Sequence, residues 1–216
     1  RTTAELEQRS ADSSSGTQLV IRGHAAVFDS PTVIVYAGFA FEEVVGRGAF
    51  RKYVAAGNDM VCQADHEGEP LGRLSNSTLT ISEDTQGVAY ECLLPDTQHA
   101  RDTWQLVKRG DYPGCSFTFM TSPAGERWDT GVPRPVDLDP AIEWWGRRYL
   151  LEFEMMRDLG PVTWPAYADT DCDADEDSDS SEDGETAPGG DAEAGTRSTP
   201  VSNLELRARA LKLTRR

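Results

Sequence analysis

The chain of 216 residues reads as an α+β domain dominated by short antiparallel strands, a barrel or sandwich with one or two helices. Three features lead to that class. Short alternating apolar runs are separated by Gly- and Pro-bearing turns, one segment has strong helical periodicity, and strands and helices do not alternate as a doubly wound sheet requires. The folded body is expected over residues 17–168, after an N-terminal extension of residues 1–16.

The elements follow in order. "TQLVIRGHAAVF" alternates and predicts an opening strand. "FAFEEVVGRGAFRKYV" passes from a short strand through Gly46 and Gly48 into a brief helical turn, and "NDMVCQADH" is a further strand candidate. "STLTISEDTQGVAYECLLP" predicts a hairpin turning at "EDTQG" and closed by Pro95. Asp96 or Thr97 then caps a helix in which Ala100, Trp104 and Val107 share one face, and Lys108, Arg109 and Gly110 end it. A strand containing Ser116 follows. A polar insertion, "TSPAGERWDTGVPRPVDLDP", separates it from the last strand or strands in "IEWWGRRYLLEFEMMRDLGPVTW".

Beyond the body, the composition shifts twice. Asp169 to Glu193 holds about a dozen acidic residues and no Lys or Arg, too few apolar groups to offset the entropy of ordering. Residues 169–196 are therefore expected to be a disordered acidic linker. Residues 197–216 reverse the charge: Ser202 and Glu205 form a capping box, and Leu204, Ala208 and Leu211 line one face of a basic amphipathic helix.

The net charge of -16 argues against binding nucleic acid through its phosphates, and no apolar run suffices to span a bilayer. Neither nucleic acid nor a membrane is expected as a partner. The first ten residues lack the apolar core of a signal peptide, so secretion is not expected. Cys62, Cys92, Cys115 and Cys172 show no metal-ligand spacing or disulfide framework, and neither metal nor cofactor is expected.

Of the three histidines, His24 and His99 fall in regular elements and read as ordinary boundary residues. His66 ends a strand-like run and opens the Gly- and Pro-bearing loop "DHEGEPLGRL", where catalytic groups are commonly presented. A serine hydroxyl needs such a base to become a nucleophile, which pairs His66 with Ser116. A third group must orient the imidazole and stabilise its charged form. Asp158 is the first candidate, with Glu152 and Glu154 as alternatives of the same parity along the last strand.

"GHAAVFDS", "GRGAF", "DHEGEPLGRL", "LPDTQHARDTWQLVKRGDYPGCSF" and "PVTWPAYADT" resemble, in order and spacing, the prohead maturation proteases of tailed double-stranded DNA phages. Those proteases look like distant relatives of the herpesvirus assemblins. The resemblance covers about Gly23 to Thr170 and implies an α+β fold with a mainly antiparallel β-barrel of the herpesvirus-protease type. It implies a serine endopeptidase with catalytic His66 and Ser116, the latter in a "G-x-S-F" strand. Two departures stand out. Thr118 replaces the glycine common after "SF", and "D-L-G" replaces the usual "E-V-S", which leaves the third member open while keeping a carboxylate at Asp158.

The implied role is cleavage of scaffolding segments, and of the protease itself, within an assembled procapsid. Its partners would be the major capsid protein precursor and scaffold, with a homo-oligomer as an option. The location would be the procapsid in the host cytoplasm, or a bacterium carrying the gene in a prophage. Arg147 and Arg148 resemble an arginine pair near the oxyanion site of the herpesvirus relatives, although an ordinary salt-bridge role is the simpler reading. Cys115 reads as a small core residue. A catalytically silent capsid-assembly or scaffolding component is the alternative function. A small-ester hydrolase is disfavoured because the chain lacks a G-x-S-x-G elbow.

Overall fold

Alternating apolar residues build three four-stranded sheets in a computed structural model that describes residues 18–177. In chain order the strands are β1 (Gln18–Val27), β2 (Thr32–Tyr36), β3 (Phe39–Val45), β4 (Val61–Cys62), β5 (Gly72–Arg73), β6 (Leu79–Glu83) and β7 (Gly87–Leu93). They continue as β8 (Gly114–Met120), β9 (Glu126–Asp129), β10 (Glu143–Leu150), β11 (Met155–Val162) and β12 (Asp173–Asp177). The helices are α1 (Arg51–Ala55) and α2 (Gln98–Arg109).

The first sheet has the order β12-β1-β7-β6 and is antiparallel throughout. The second, β2-β3-β10-β9, and the third, β5-β4-β11-β8, each contain one parallel pair at the centre. The expected opening strand, the hairpin β6–β7 and helix α2 all form. Thr97 caps α2 by accepting from the Ala100 amide, and Gly110 ends it in the left-handed region at φ 87°. Ala100, Trp104 and Val107 are its buried face.

The class is α+β, as expected, but the strands do not close into a barrel by hydrogen bonding among the described residues. The first and second sheets are joined by a single bridge between Phe28 and Val45. At the outer edge of β8, the place where a neighbouring strand would add, the Thr170 side chain occupies the backbone groups of Cys115. Its Oγ1 accepts from the Cys115 amide at 3.2 Å and lies 2.9 Å from the Cys115 carbonyl. The same hydroxyl lies 2.8 Å from the Tyr167 carbonyl, so its one proton is shared between two carbonyls while its oxygen takes up the Cys115 amide that a strand partner would otherwise accept from.

The final strand is an unexpected element. Asp173–Asp177 pairs with β1 across five positions, so the folded part extends past residue 168 and the segment read as linker begins as an edge strand. The acidic residues of β12 suit an edge, where charge discourages further pairing. The remaining linker and the expected C-terminal helix, like residues 1–16, lie outside the described residues. Strands β2 and β9 also went unread in the sequence, β9 within the supposed polar insertion.

The core lies between the sheets and is rich in aromatic rings. Phe50 stands edge-on to Phe117 and Phe153, with centroids 5.1 and 4.8 Å apart, and Tyr167 stacks on Phe117 at 5.6 Å. Phe117 therefore commits one face of β8 to the core, and alternation sends Ser116 and Thr118 to the other.

Candidate active site

His66 reaches its position through a strained turn. β4 ends at Cys62, and the Gln63 amide donates to the Leu159 carbonyl at 2.9 Å, which carries the chain across β11. Gly160 makes this crossing possible, because a Cβ there would stand 2.2 Å from the Gln63 carbonyl oxygen. A tight turn over residues 64–66 follows, with Asp65 at φ 46° and His66 at φ 62°. Two successive non-glycine residues in the left-handed region are costly unless their surroundings hold them.

Asp65 supplies the hold. Its Oδ1 accepts from the Thr163 amide at 2.8 Å and its Oδ2 from the Thr163 hydroxyl at 2.9 Å. Asp65 also faces Tyr112, whose phenol is pushed up by burial and then by the Asp65 charge. One carboxylate thus ties the histidine turn to the segment before β8 and the segment after β11. Gly72 closes the loop by returning to β4 opposite Cys62, where a Cβ would meet the Cys92 sulfur at 2.5 Å.

Asp158 is aimed by a bulge. β11 runs antiparallel to β8 with Met156 opposite Phe119 and Asp158 opposite Thr118, so Arg157 is an extra residue. Met156 and Asp158 would share a face on a regular strand. The bulge separates them: buried Met156 lies opposite core-facing Phe119, and Asp158 goes to the face of Thr118 and Ser116. The same bulge defeats the parity that grouped Asp158 with Glu152 and Glu154. Those two residues precede β11; Glu152 pairs with Lys52 at 2.6 Å and Glu154 is exposed.

The outcome is a hydrogen-bonded pair. His66 Nδ1 and Asp158 Oδ1 are 2.5 Å apart, the carboxylate fully buried and the imidazole 33% exposed. Burial pushes the Asp158 carboxyl up. The hydrogen bond and charge of His66, the Thr118 hydroxyl and the Arg157 charge oppose it and hold the group below the ordinary carboxylate value. An ionised carboxylate only accepts, so Nδ1 carries a proton, and in the neutral ring the lone pair is then on Nε2. An imidazole held in that tautomer can take a proton at Nε2 while the carboxylate stabilises the resulting charge.

Ser116 lies two residues before Thr118 on the same face of β8, opposite Gly160, and is 8% exposed. It shares the face of the His66–Asp158 pair without a hydrogen bond to His66. Thr118 is closer to the pair: its Oγ1 is 3.1 Å from Asp158 Oδ1 and 3.3 Å from His66 Nδ1. Sequence reasoning noted Thr118 only as a departure from glycine, although its spacing from Ser116 on an alternating strand was a usable signal.

The remaining candidates sort clearly. Arg147 pairs with Glu42 at 2.6 Å, and Arg148 pairs with Glu43 at 3.0 Å and with Glu126, all within the second sheet. Glu43 also accepts from the Tyr167 hydroxyl at 2.6 Å, so Arg148 serves a largely buried ionic network. Cys115 is fully buried, and burial pushes its thiol well above the ordinary range. His24 is a half-buried boundary residue, as expected, and it carries two carboxylate contacts: Nε2 is 2.9 Å from Asp84 and Nδ1 3.3 Å from Asp171. Among the described residues no cluster of His, Cys, Asp and Glu is arranged to hold a metal, and no helix is long and apolar enough to cross a membrane.

The family model for the caudovirus prohead serine protease matches residues 4–183. No curated protein and no solved structure matches the chain.

Proposed function

The chain belongs to the caudovirus prohead serine protease family, a family of phage capsid maturation, and on that premise we propose that it is an active endopeptidase with Ser116 as nucleophile, His66 as base and Asp158 as the third member. The single observation that carries this reading is the buried Asp158 carboxylate joined to His66 Nδ1, on the face of β8 that also holds Ser116.

In the first half-reaction, Ser116 Oγ attacks the scissile carbonyl as its proton passes to His66 Nε2. Asp158 stabilises the imidazolium so formed. His66 then returns that proton to the leaving amine as the C–N bond breaks, and an ester to Ser116 remains. Water attacks the ester with His66 again accepting a proton, which it gives back to Ser116 as the acid product leaves. Backbone amides receive the oxyanion in both halves, and each such donor is worth about 3 to 4 kcal/mol of barrier.

The substrates are the scaffolding segments of the capsid precursor and the protease itself, within the procapsid in the host cytoplasm. Co-expression with the cognate capsid precursor tests this, with new termini mapped by mass spectrometry. Wild-type protein is expected to generate discrete new termini in the precursor, and Ser116→Ala none. Processing that persists unchanged with Ser116→Ala would favour a catalytically silent assembly component.

A further inference from the structure

We infer that Thr118 is a positioning residue for the His66–Asp158 pair, its hydroxyl donating to the same carboxylate oxygen that accepts from the imidazole and so fixing how the two face each other. This rests on the reading of His66 and Ser116 as base and nucleophile. The geometry is a three-centre arrangement on Asp158 Oδ1, with the imidazole Nδ1 at 2.5 Å and the Thr118 hydroxyl at 3.1 Å. The Thr118 hydroxyl lies 3.3 Å from Nδ1, and because Nδ1 carries its proton it cannot accept, so the hydroxyl proton goes to the shared oxygen.

An aspartate carboxylate rotates over a broad, roughly two-fold torsional well, so one hydrogen bond from a mobile imidazole fixes it poorly. Oδ2 adds little restraint: it is buried without a hydrogen bond, and Arg157 Nε stands 3.7 Å away on a largely exposed side chain. Thr118 supplies the missing restraint from a rigid support. It sits directly opposite Asp158 in the β8–β11 ladder, and its branched side chain has few χ1 options. The carboxylate then keeps its orientation while His66 gains and loses a proton, which matters in both half-reactions.

Thr118→Val removes the hydroxyl at nearly constant shape, Thr118→Ser retains it, and Thr118→Ala is a second hydroxyl-free variant should valine impair folding. Two readouts are compared in the full-length protein. One is the kcat and KM of precursor cleavage; the other is the downfield proton resonance of His66 Nδ1–H, recorded without substrate. The valine and alanine variants are expected to lose about tenfold in kcat with KM little changed, and to shift or broaden the resonance, while serine restores both. Wild-type kcat and resonance in the hydroxyl-free variants would overturn the inference, as would a serine variant no better than valine. The resonance needs no turnover, so it still tests Thr118 if Ser116→Ala shows that the proposed nucleophile is wrong.

Discussion

His66 Nδ1 lies 2.5 Å from Asp158 Oδ1, a contact between residues 92 positions apart that joins a strained turn to a bulged strand. Because the carboxylate dictates which ring nitrogen carries the proton, Asp158→Asn should leave the fold intact and stabilise the wrong tautomer. The expected loss in kcat is about 10³- to 10⁴-fold, with Tm little changed. Cleavage kinetics and thermal unfolding of the purified variant check this; near-wild-type turnover would remove Asp158 from the mechanism.

Asp65 holds the left-handed turn through both its oxygens. Asp65→Ala should lose two hydrogen bonds, about 1 to 3 kcal/mol of stability, and displace His66 from its partner. Asp65→Asn keeps one acceptor and tolerates positive φ, so it should recover part of both losses. Denaturant titration alongside the cleavage rate separates the two effects.

Gly160→Ala tests the crossing of the histidine turn over β11. The added methyl would meet the Gln63 carbonyl oxygen, carbon and amide nitrogen at 2.2, 2.9 and 2.9 Å, all backbone atoms without a rotamer to change. Destabilisation of about 1 to 3 kcal/mol is expected, together with loss of cleavage. Calorimetry showing an unaltered Tm would mean that the crossing is not close-packed.

His24 makes stability depend on pH in a definite direction. Burial lowers its proton affinity, but the hydrogen bonds and charges of Asp84 and Asp171 outweigh it and raise the group above its ordinary 6.5. Asp84 is brought down to about 2, by the His24 hydrogen bond first and then by the Gly87 and Gln86 amides. A raised histidine contributes fully below its unfolded value and loses the contribution as pH rises through the folded one. A depressed carboxylate contributes above its unfolded value and loses it as pH falls through about 2. The contact should therefore be strongest between about pH 4 and 6.5. Thermal melts across pH 4 to 9 should show a decline above neutral that is smaller in His24→Gln.

Part of the candidate site was legible in the sequence because it sits at element ends. His66 was visible as the close of a strand and the start of a glycine-bearing loop, and Thr97 and Gly110 marked the limits of α2. Asp158 was visible as a carboxylate at the end of the last strand, whereas the parity that made Glu152 and Glu154 its alternatives fails at the Arg157 bulge. Thr118 became meaningful only once the β8–β11 register set it opposite Asp158. β12 was missed because its acidic run looks like a solvated linker until β1 supplies an edge, and "TVIVY" of β2 carried a β-branched signal that went unused. Closure was illegible for a different reason: the side chain that meets the Cys115 backbone groups at the edge of β8 is Thr170, more than fifty residues away.

Reaction of the co-expressed procapsid assembly with a fluorophosphonate, followed by peptide mass spectrometry, addresses the nucleophile most directly. A single covalent adduct on Ser116 is expected, absent in Ser116→Ala and strongly diminished in His66→Gln. Precursor cleavage by a protein that takes no adduct at Ser116, or takes it equally well without His66, would contradict the assignment.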